Sequence, residues 1–410
     1  MSFDKIKRRN IWTLSITRFL HGLGGNMFNI VYQPFIFELT NSIFITGVLI
    51  SLGSLMQFFP MPLVGKISDK LGRKVTILIG TPLQILGVFT LIISNKMTLY
   101  FTAIGIILYF LGFTFYILNS QFLVSENSEK SKGFAFGLVF FSFFAGSIGG
   151  SYLIIAGQGL ATRFYLILFI FFLILEGFIY LFFISTKYQI GNQEKRNNTA
   201  QKQSTWMTIL KTRELRIILI FFTMDIFVYG ISLSIYNGGL NDFYKLTKEN
   251  IALISLWFNV ANMAFQIPAG HLTDKIGNKK TLISSQIFGL TFFFLNIMAA
   301  IFWRNTNKAS LIFLLIIGEV FFAVSVTTFI PAEQIILTDL GEKNKGESYG
   351  VIAFARGIGF VPTGTIGGLL VENINYITPF ICSSVGVLGE TLFLLKFFHK
   401  ANSLENSKRE

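Results

Sequence analysis

Long apolar runs are the feature that most constrains how this 410-residue chain can fold. Runs of 20 residues or more recur along its whole length, and a helix of about 20 apolar residues crosses the roughly 30 Å hydrocarbon core of a bilayer. Only 13% of the residues are charged and 52% are hydrophobic, whereas soluble domains are about one quarter charged. The sequence therefore predicts an all-α polytopic membrane protein.

The apolar runs predict twelve transmembrane helices in two groups of six. A polar stretch containing GNQEKRNNTAQKQST separates the groups and has no apolar period, which is typical of a linker. The predicted units are an N-terminal bundle over 1–186, a linker over 187–213 and a C-terminal bundle over 214–410. The predicted spans are 11–37, 43–64, 75–94, 98–122, 133–157, 162–186, 214–240, 249–269, 281–302, 309–336, 346–371 and 375–397.

The basic residues predict the orientation of the chain. Of its 34 lysines and arginines, 26 fall in the termini, the linker and the loops of one side, and six fall on the other side. Because cytoplasmic loops carry an excess of Lys and Arg, we expect both termini in the cytoplasm and the protein in the plasma membrane. The scattered basic residues also argue against a nucleic-acid partner, for which they would cluster on one face.

An internal repeat links the two groups of spans. GKISDKLGRK at 65–74, between spans two and three, has a counterpart in GHLTDKIGNKK at 270–280, between spans eight and nine. Because six is an even number, the two copies share one orientation in the membrane. The sequence therefore predicts two six-helix bundles related by a pseudo-two-fold axis along the membrane normal.

This pair of charged loops in a chain of six plus six spans resembles the major facilitator superfamily, over essentially the whole sequence. The resemblance implies a secondary active transporter that works by alternating access, in which two bundles rock about a central cavity. It also implies that spans 1, 4, 7 and 10 line the cavity and that spans 3, 6, 9 and 12 lie outside it. Small residues four apart in GSIGG (146–150) and GTIGG (364–368) predict close helix packing.

The charged loop and its copy are interpreted as a gate on the cytoplasmic side. Gly65 and Gly72 would permit a tight chain reversal, Asp69 would accept hydrogen bonds from a helix N-terminus, and Arg73 would pair with Glu126. The alternative is that these charges only fix the topology. The predicted gate residues are Gly65, Asp69, Gly72, Arg73 and Glu126 in the first half, and Gly270, Asp274, Gly277 and Asp339 in the second.

Charges inside the spans need a reason, because each costs roughly 2.5–3.5 kcal/mol at the helix centre. Arg18 in span one maps onto Asp225 in span seven, and Arg356 lies at a comparable depth in span eleven. We expect Asp225 to be the coupling or substrate-binding carboxylate, with Arg18 or Arg356 as its alternating partner; the alternative is a permanent structural ion pair. The other candidates are His21, Asn29, Tyr32, Tyr229, Tyr236 and Glu319, with Glu333 as a further carboxylate that could titrate.

Three ionisable residues inside the spans, His21, Glu176 and Glu390, also have structural interpretations. His21 is expected to be a neutral hydrogen-bonded histidine, with a proton relay as the alternative. Glu176 and Glu390 lie in spans six and twelve, which the resemblance places at the periphery. We expect both carboxyl groups to be protonated and packed against a neighbouring helix.

The function predicted is secondary active transport. The sequence has no Walker-type loop, metal-ligand cluster or nucleophile triad, so we expect no enzyme activity, cofactor or metal. Few cavity charges and much aromatic surface favour proton-coupled export of a hydrophobic or amphiphilic small molecule. The alternatives are proton-coupled uptake of a small polar nutrient such as a sugar or organic acid, and a non-transporting sensor or lipid-translocating protein. The expected partners are the substrate, protons and the bilayer, and the protein is expected to be monomeric.

Overall fold

The computed structural model describes residues 3–128, 132–185, 213–340 and 345–397, and this part of the chain is helical without any β-strand. The predicted linker lies outside the described residues except for Arg213, which begins a helix. The α-helices, numbered in chain order, are α1 (Phe3–Thr40), α2 (Ile43–Phe58), α3 (Met61–Leu71), α4 (Arg73–Ile93), α5 (Leu99–Asn127), α6 (Lys132–Ala156), α7 (Thr162–Phe183), α8 (Arg213–Leu233), α9 (Tyr236–Asp242), α10 (Lys248–Ile276), α11 (Asn278–Phe302), α12 (Lys308–Leu340), α13 (Lys345–Phe360), α14 (Thr363–Asn373) and α15 (Thr378–Phe397).

These helices form the twelve predicted spans, three of which consist of two helices. Span two is α2 with α3, span seven is α8 with α9, and span eleven is α13 with α14. Pro60 and Pro362 precede α3 and α14 with nearly the same backbone angles, φ −78° and ψ −9° against φ −77° and ψ −10°. Because proline has no backbone N–H, it interrupts the hydrogen-bond ladder there while the span continues.

Ten spans are apolar and long enough to cross a membrane on composition alone, within the residues that the structure describes. The other two are α1 and α10. Both carry polar side chains that are buried between helices, including Asn26 and Gln33 on α1 and Asn259 and Asn262 on α10. Their low apolarity therefore reflects a position inside the protein.

The two charged segments are more helical than the sequence predicts. Helix α3 runs to Leu71, and Gly72 alone separates it from α4. Gly277 separates α10 from α11 in the same way, and the φ angles of the two glycines are +87° and +80°. A left-handed conformation of this kind strains any residue with a Cβ, so one glycine suffices for the reversal. Gly65 lies inside α3, where a Cβ would meet only Leu118 at 3.9 Å, so its predicted role in the turn is wrong.

The two glycine motifs pack against different partners. In GSIGG, Gly146 and Gly150 lie against the backbone of α1 within the N-terminal bundle (α1–α7), where any side chain would collide with a carbonyl oxygen. In GTIGG, Gly364 and Gly368 lie against α2, which belongs to the other bundle. The predicted close packing is confirmed, and α14 is a contact between the N-terminal bundle and the C-terminal bundle (α8–α15).

Polar contacts also join the bundles at the end opposite the Gly72 and Gly277 turns, which we call the far end. Glu372 lies in the last turn of α14 and accepts hydrogen bonds from Ser42 Oγ at 2.9 Å and from the Phe44 amide at 3.0 Å. The Asn237 side chain donates to the Asn29 carbonyl at 3.0 Å. Helices α1 and α2 are thereby tied to α9 and α14 at this end.

Candidate functional site

Asp225 forms the centre of a polar cluster in the C-terminal bundle. It lies on α8 with 7% of its surface exposed, and Gln286 Nε2 on α11 donates to its Oδ1 at 2.9 Å. The Tyr229 hydroxyl, one helical turn further along α8, donates to Gln286 Oε1 at 3.0 Å. Gly289 makes room for that hydroxyl, since a Cβ there would collide with it. Asp225, Gln286 and Tyr229 therefore form one hydrogen-bonded chain between two helices.

An ion pair adjoins this chain. Arg356 on α13 is paired with the buried carboxylate of Glu333 on α12. The Arg356 guanidinium also lies 5.7 Å from the ring centres of Phe222 and Phe329, a cation–π arrangement. The charges of Arg356 and Glu333 both act on Asp225. The ion pair found for Arg356 is with Glu333, and the predicted pairing of Arg356 with Asp225 stays a prediction.

Glu390 on α15 completes the group, which we call the C-cluster: Asp225, Gln286, Tyr229, Glu333, Arg356 and Glu390. Glu390 is fully buried, and its charge and that of Asp225 act on each other. Neither carboxylate oxygen has a hydrogen-bond partner among the described residues. The C-cluster therefore holds three carboxyl groups and one arginine.

A second group lies in the N-terminal bundle around Arg18. Arg18 Nη2 donates to Ser120 Oγ on α5 at 2.6 Å, and its guanidinium lies 5.1 Å from the centre of the Tyr116 ring. These partners belong to the N-terminal bundle. Arg18 is therefore not the partner of Asp225 in this structure, because its polar contact keeps it against its own bundle.

His21 lies on the same tyrosine ring as Arg18. Its imidazole stacks on Tyr116 with ring centres 4.3 Å apart, and its Nδ1 lies 3.1 Å from Oε2 of Glu176 on α7. Both side chains of the pair are 4% exposed. The structure thus places His21 in a hydrogen bond, as expected, and shows that Glu176 is its partner. We call Arg18, His21, Tyr116, Ser120 and Glu176 the N-cluster.

The other predicted candidates lie apart from these two clusters. The Asn29 side chain is exposed, whereas Tyr32 is buried, stacks on Phe28 at 5.0 Å and accepts a hydrogen bond from Gln33 at 3.1 Å. Glu319 on α12 lies beside the Tyr236 hydroxyl towards the far end. Asn29, Tyr32, Tyr236 and Glu319 therefore remain candidates for substrate contacts.

The predicted pairing of Arg73 with Glu126 is present and is part of a charged network around Arg73, whereas its role as a gate stays a prediction. The Arg73 guanidinium lies 2.8 Å from Asp69, 3.2 Å from Glu126 and 2.6 Å from Ser68 Oγ, and it covers the Phe122 ring at 4.5 Å. These residues belong to α3, α4 and α5, all in the N-terminal bundle. In the second half, the side chains of Asp274 and Asp339 and the surroundings of Gly270 lie outside the described residues.

Sequence reasoning missed Gln286, Ser120 and the role of Glu176. The resemblance places spans six and nine at the periphery, so Glu176 and Gln286 were not expected beside cavity-lining helices. A signal was available for Glu176, because a carboxyl group in the middle of a span requires a polar partner. His21 in span one is that partner.

Comparison with known proteins agrees with this architecture. The profile of the Major Facilitator Superfamily matches residues 14–241 and again 226–410, one match for each half. The chain belongs to the major facilitator superfamily. A crystal structure of a point mutant of the nucleoside transporter NupG superposes with a TM-score of 0.73 at 14% identity, covering 94% of this chain and 99% of that chain. None of the curated protein sequences matches the chain. Family and fold are those of a multi-pass membrane transporter.

Proposed function

We propose that this protein is a proton-coupled secondary active transporter that works by alternating access, with the C-cluster as its proton-binding site. The observation that carries the proposal is the imbalance of charge in that cluster. If Asp225, Glu333 and Glu390 were all ionised, Arg356 would compensate only one of them. Each uncompensated charge inside the bilayer costs roughly 2.5–3.5 kcal/mol. Bound protons remove that cost.

The position of the cluster connects proton binding to the movement of helices. Asp225, Glu333 and Arg356 lie on α8, α12 and α13, which are parts of spans seven, ten and eleven. The family resemblance assigns spans seven and ten to the cavity wall. A proton on Asp225 removes its attraction for Arg356, which then favours the pair with Glu333. Occupancy of Asp225 thereby biases the packing of three helices.

Alternating access is supported by the contacts at the two ends. At the far end, Glu372 and Asn237 join the bundles, whereas the described partners of Arg73, which are Asp69, Glu126 and Ser68, belong to the N-terminal bundle. We infer that Arg73 exchanges Glu126 or Asp69 for a partner in the other bundle when the opposite end closes. By the excess of basic residues, the end with the Arg73 network faces the cytoplasm, and we propose a monomer in the plasma membrane.

The proposed cargo is a hydrophobic or amphiphilic small molecule that is exported in exchange for protons. Aromatic pairs at the bundle interface support this assignment. Phe58 and Phe360 have ring centres 6.2 Å apart across the interface, and Phe59 and Phe354 have ring centres 6.0 Å apart. Such surfaces bind apolar ligands without requiring specific hydrogen bonds.

A second candidate is proton-coupled uptake of a small polar compound. Asn26 on α1 accepts a hydrogen bond at 3.2 Å from Ser255 on α10, so polar side chains also bridge the bundles. Nearby on α10, the buried Oδ1 of Asn262 has no hydrogen-bond partner among the described residues. A ligand hydroxyl or amine would satisfy it. The nucleoside transporter that shares the fold carries a cargo of this polar class.

Transport by purified protein in liposomes tests the proposal. The probes are ethidium, uridine and glucose, each measured with the lumen acidic, with the bath acidic and with the gradient collapsed by an ionophore. Proton antiport predicts accumulation of ethidium above that of protein-free liposomes only when the lumen is acidic. Accumulation of uridine or glucose only when the bath is acidic would establish uptake instead. Transport that is equal under all three conditions would contradict proton coupling.

A further inference from the structure

The N-cluster contains a titratable group that the proposed function does not use. We propose that His21 is a second proton-binding site, that Glu176 is the positioning residue that fixes its tautomer, and that Gly25 keeps its Nε2 edge accessible. The proposal rests on the proton-coupled function described above. It assigns a role to a histidine and a carboxylate that lie outside the C-cluster, in the other bundle.

The hydrogen bond to Glu176 decides which nitrogen of His21 is available. The proposal takes Glu176 as ionised, in place of the protonated form expected from the sequence, because the Arg18 guanidinium lies on the same Tyr116 ring as His21. An ionised carboxylate only accepts hydrogen bonds. The proton in the 3.1 Å contact therefore belongs to Nδ1 of His21, and Nε2 carries the free electron pair.

Gly25 lies one helical turn along α1 from His21 and faces this nitrogen. A Cβ at position 25 would lie 3.6 Å from Nε2 and 3.6 Å from Cδ2 of His21, and it would meet no other atom within 4 Å. The glycine is therefore not required by a close helix approach at this point. A glycine here leaves no Cβ against the Nε2 edge of His21, whereas an alanine methyl group would lie against it without collision.

The surroundings stabilise either charge state of the ring. The titratable and charged groups around His21 are Arg18 from α1, Tyr116 and Tyr109 from α5, and Glu176 and Tyr180 from α7. With a neutral imidazole, Arg18 and Glu176 balance each other. A second proton on the ring is stabilised by Glu176 and by the stacked Tyr116 face, and Arg18 opposes it. The cluster can therefore gain one positive charge without losing its hydrogen bond.

Nuclear magnetic resonance of histidine rings tests the proposal without a substrate. The chain has only three histidines, so ¹³C,¹⁵N-histidine protein in lipid nanodiscs gives few signals, and His21→Gln identifies one of them. We expect this signal to show the Nδ1–H tautomer at high pH and to change when the pH of the sample is lowered over the range from about 8 to about 5. A signal that keeps one form over that whole range would overturn the proposal.

Two variants separate the positioning and access roles. Glu176→Gln should convert the single tautomer into a mixture, because an amide can donate to Nδ1 as well as accept. Gly25→Ala should reduce the pH-dependent change of the signal at least severalfold, whereas Gly149→Ala, whose Cβ would meet only Leu23 at 3.8 Å, should leave it unchanged. An unaltered tautomer in Glu176→Gln would overturn the role of the carboxylate. An unaltered titration in Gly25→Ala would overturn the role of the glycine.

The outcome is independent of the test of the proposed function. Liposomes that show proton-driven transport, together with a His21 signal that does not titrate, would overturn this inference and leave the function standing. A titrating His21 in a protein whose transport ignores the pH gradient would overturn the proposed function and leave His21 as a proton-binding site without a part in transport.

Discussion

The two bundles carry corresponding acids that differ in their partners. Glu176 in span six lies 3.1 Å from His21, whereas Glu390 in span twelve has no hydrogen-bond partner among the described residues. The offset of 207 residues that aligns Arg18 with Asp225 also aligns His21 with Val228. The second bundle thus has an aliphatic side chain where the first has an imidazole. The comparison teaches that the duplicated packing has been kept while its charges have diverged.

Because of this divergence, the two clusters differ in net charge when their groups are ionised. In the N-cluster, Arg18 and Glu176 balance, and His21 can add a positive charge. In the C-cluster, the carboxyl groups outnumber the single arginine by two. Protons therefore have the larger stabilising effect on the C-cluster, which is why the main proton site is assigned there.

Removal of the only cation of the C-cluster should have the largest effect. Arg356→Met leaves Glu333 buried without its partner, which we expect to lower the free energy of unfolding by about 3 kcal/mol. Thermal unfolding in detergent measures it, with Arg304→Met at the exposed far end as the matched control. The double variant Arg356→Met/Glu333→Leu should recover most of the loss. If Arg356→Met and the wild type unfold at the same temperature, the ion pair between Arg356 and Glu333 does not stabilise this cluster.

Conversion of the N-cluster towards the pattern of the second bundle should have the next largest effect. His21→Val leaves Glu176 without its partner, and we expect a loss of about 1–3 kcal/mol. Adding Glu176→Leu should restore much of the stability, because the unpaired carboxyl group is then absent. If His21→Val is as stable as the wild type, the contrast between the bundles is wrong, because the contact with His21 would then contribute nothing to the stability of Glu176.

The glycine motifs offer a comparison of packing within and between bundles. Gly146→Ala should lower the unfolding temperature, because its methyl group collides with α1 inside one bundle. Gly364→Ala should instead separate the bundles at the far end, since it collides with Gly47 across the interface. In a Cys382→Ser background, labelling of Ile43→Cys should accelerate severalfold in Gly364→Ala and change little in Gly146→Ala. The same labelling rate in both variants would contradict the distinction.

The smallest effect is expected at Glu390. Glu390→Gln removes no hydrogen bond found in the structure, so the free energy of unfolding should change by less than about 1 kcal/mol. Glu176→Gln should cost more in a parallel unfolding experiment, because it replaces the carboxylate that His21 contacts. A reversed order would mean that Glu390 has a stabilising partner that Glu176 lacks.

The spans and their duplication could be predicted because both depend on local patterns. Apolar length predicts a membrane helix, and the repeated charged segments predict two related bundles. The same repeat predicts corresponding turns near Gly72 and Gly277, although the sequence could not show that one glycine makes each turn and that Gly65 does not. That distinction depends on where α3 ends.

The partners of the buried charges could not be predicted to the same extent. Arg18 and Asp225 align in the repeat, but the rotation of each helix decides which neighbour a side chain reaches. Helix α1 directs Arg18 towards Ser120, and α8 directs Asp225 towards Gln286. A one-residue change along a helix turns a side chain by about 100°, so spacing alone does not determine such contacts.

The central claim, that the C-cluster couples protons to transport through Asp225, is tested most directly by separating driven transport from exchange. Asp225→Asn in liposomes should lose accumulation driven by a pH gradient and keep the exchange of labelled for unlabelled substrate, since exchange needs no net proton movement. Asp242→Asn, at a far-end carboxylate paired with Lys245 at 3.1 Å, is the matched control and should retain both activities. Gradient-driven accumulation by Asp225→Asn at the wild-type level would contradict the account.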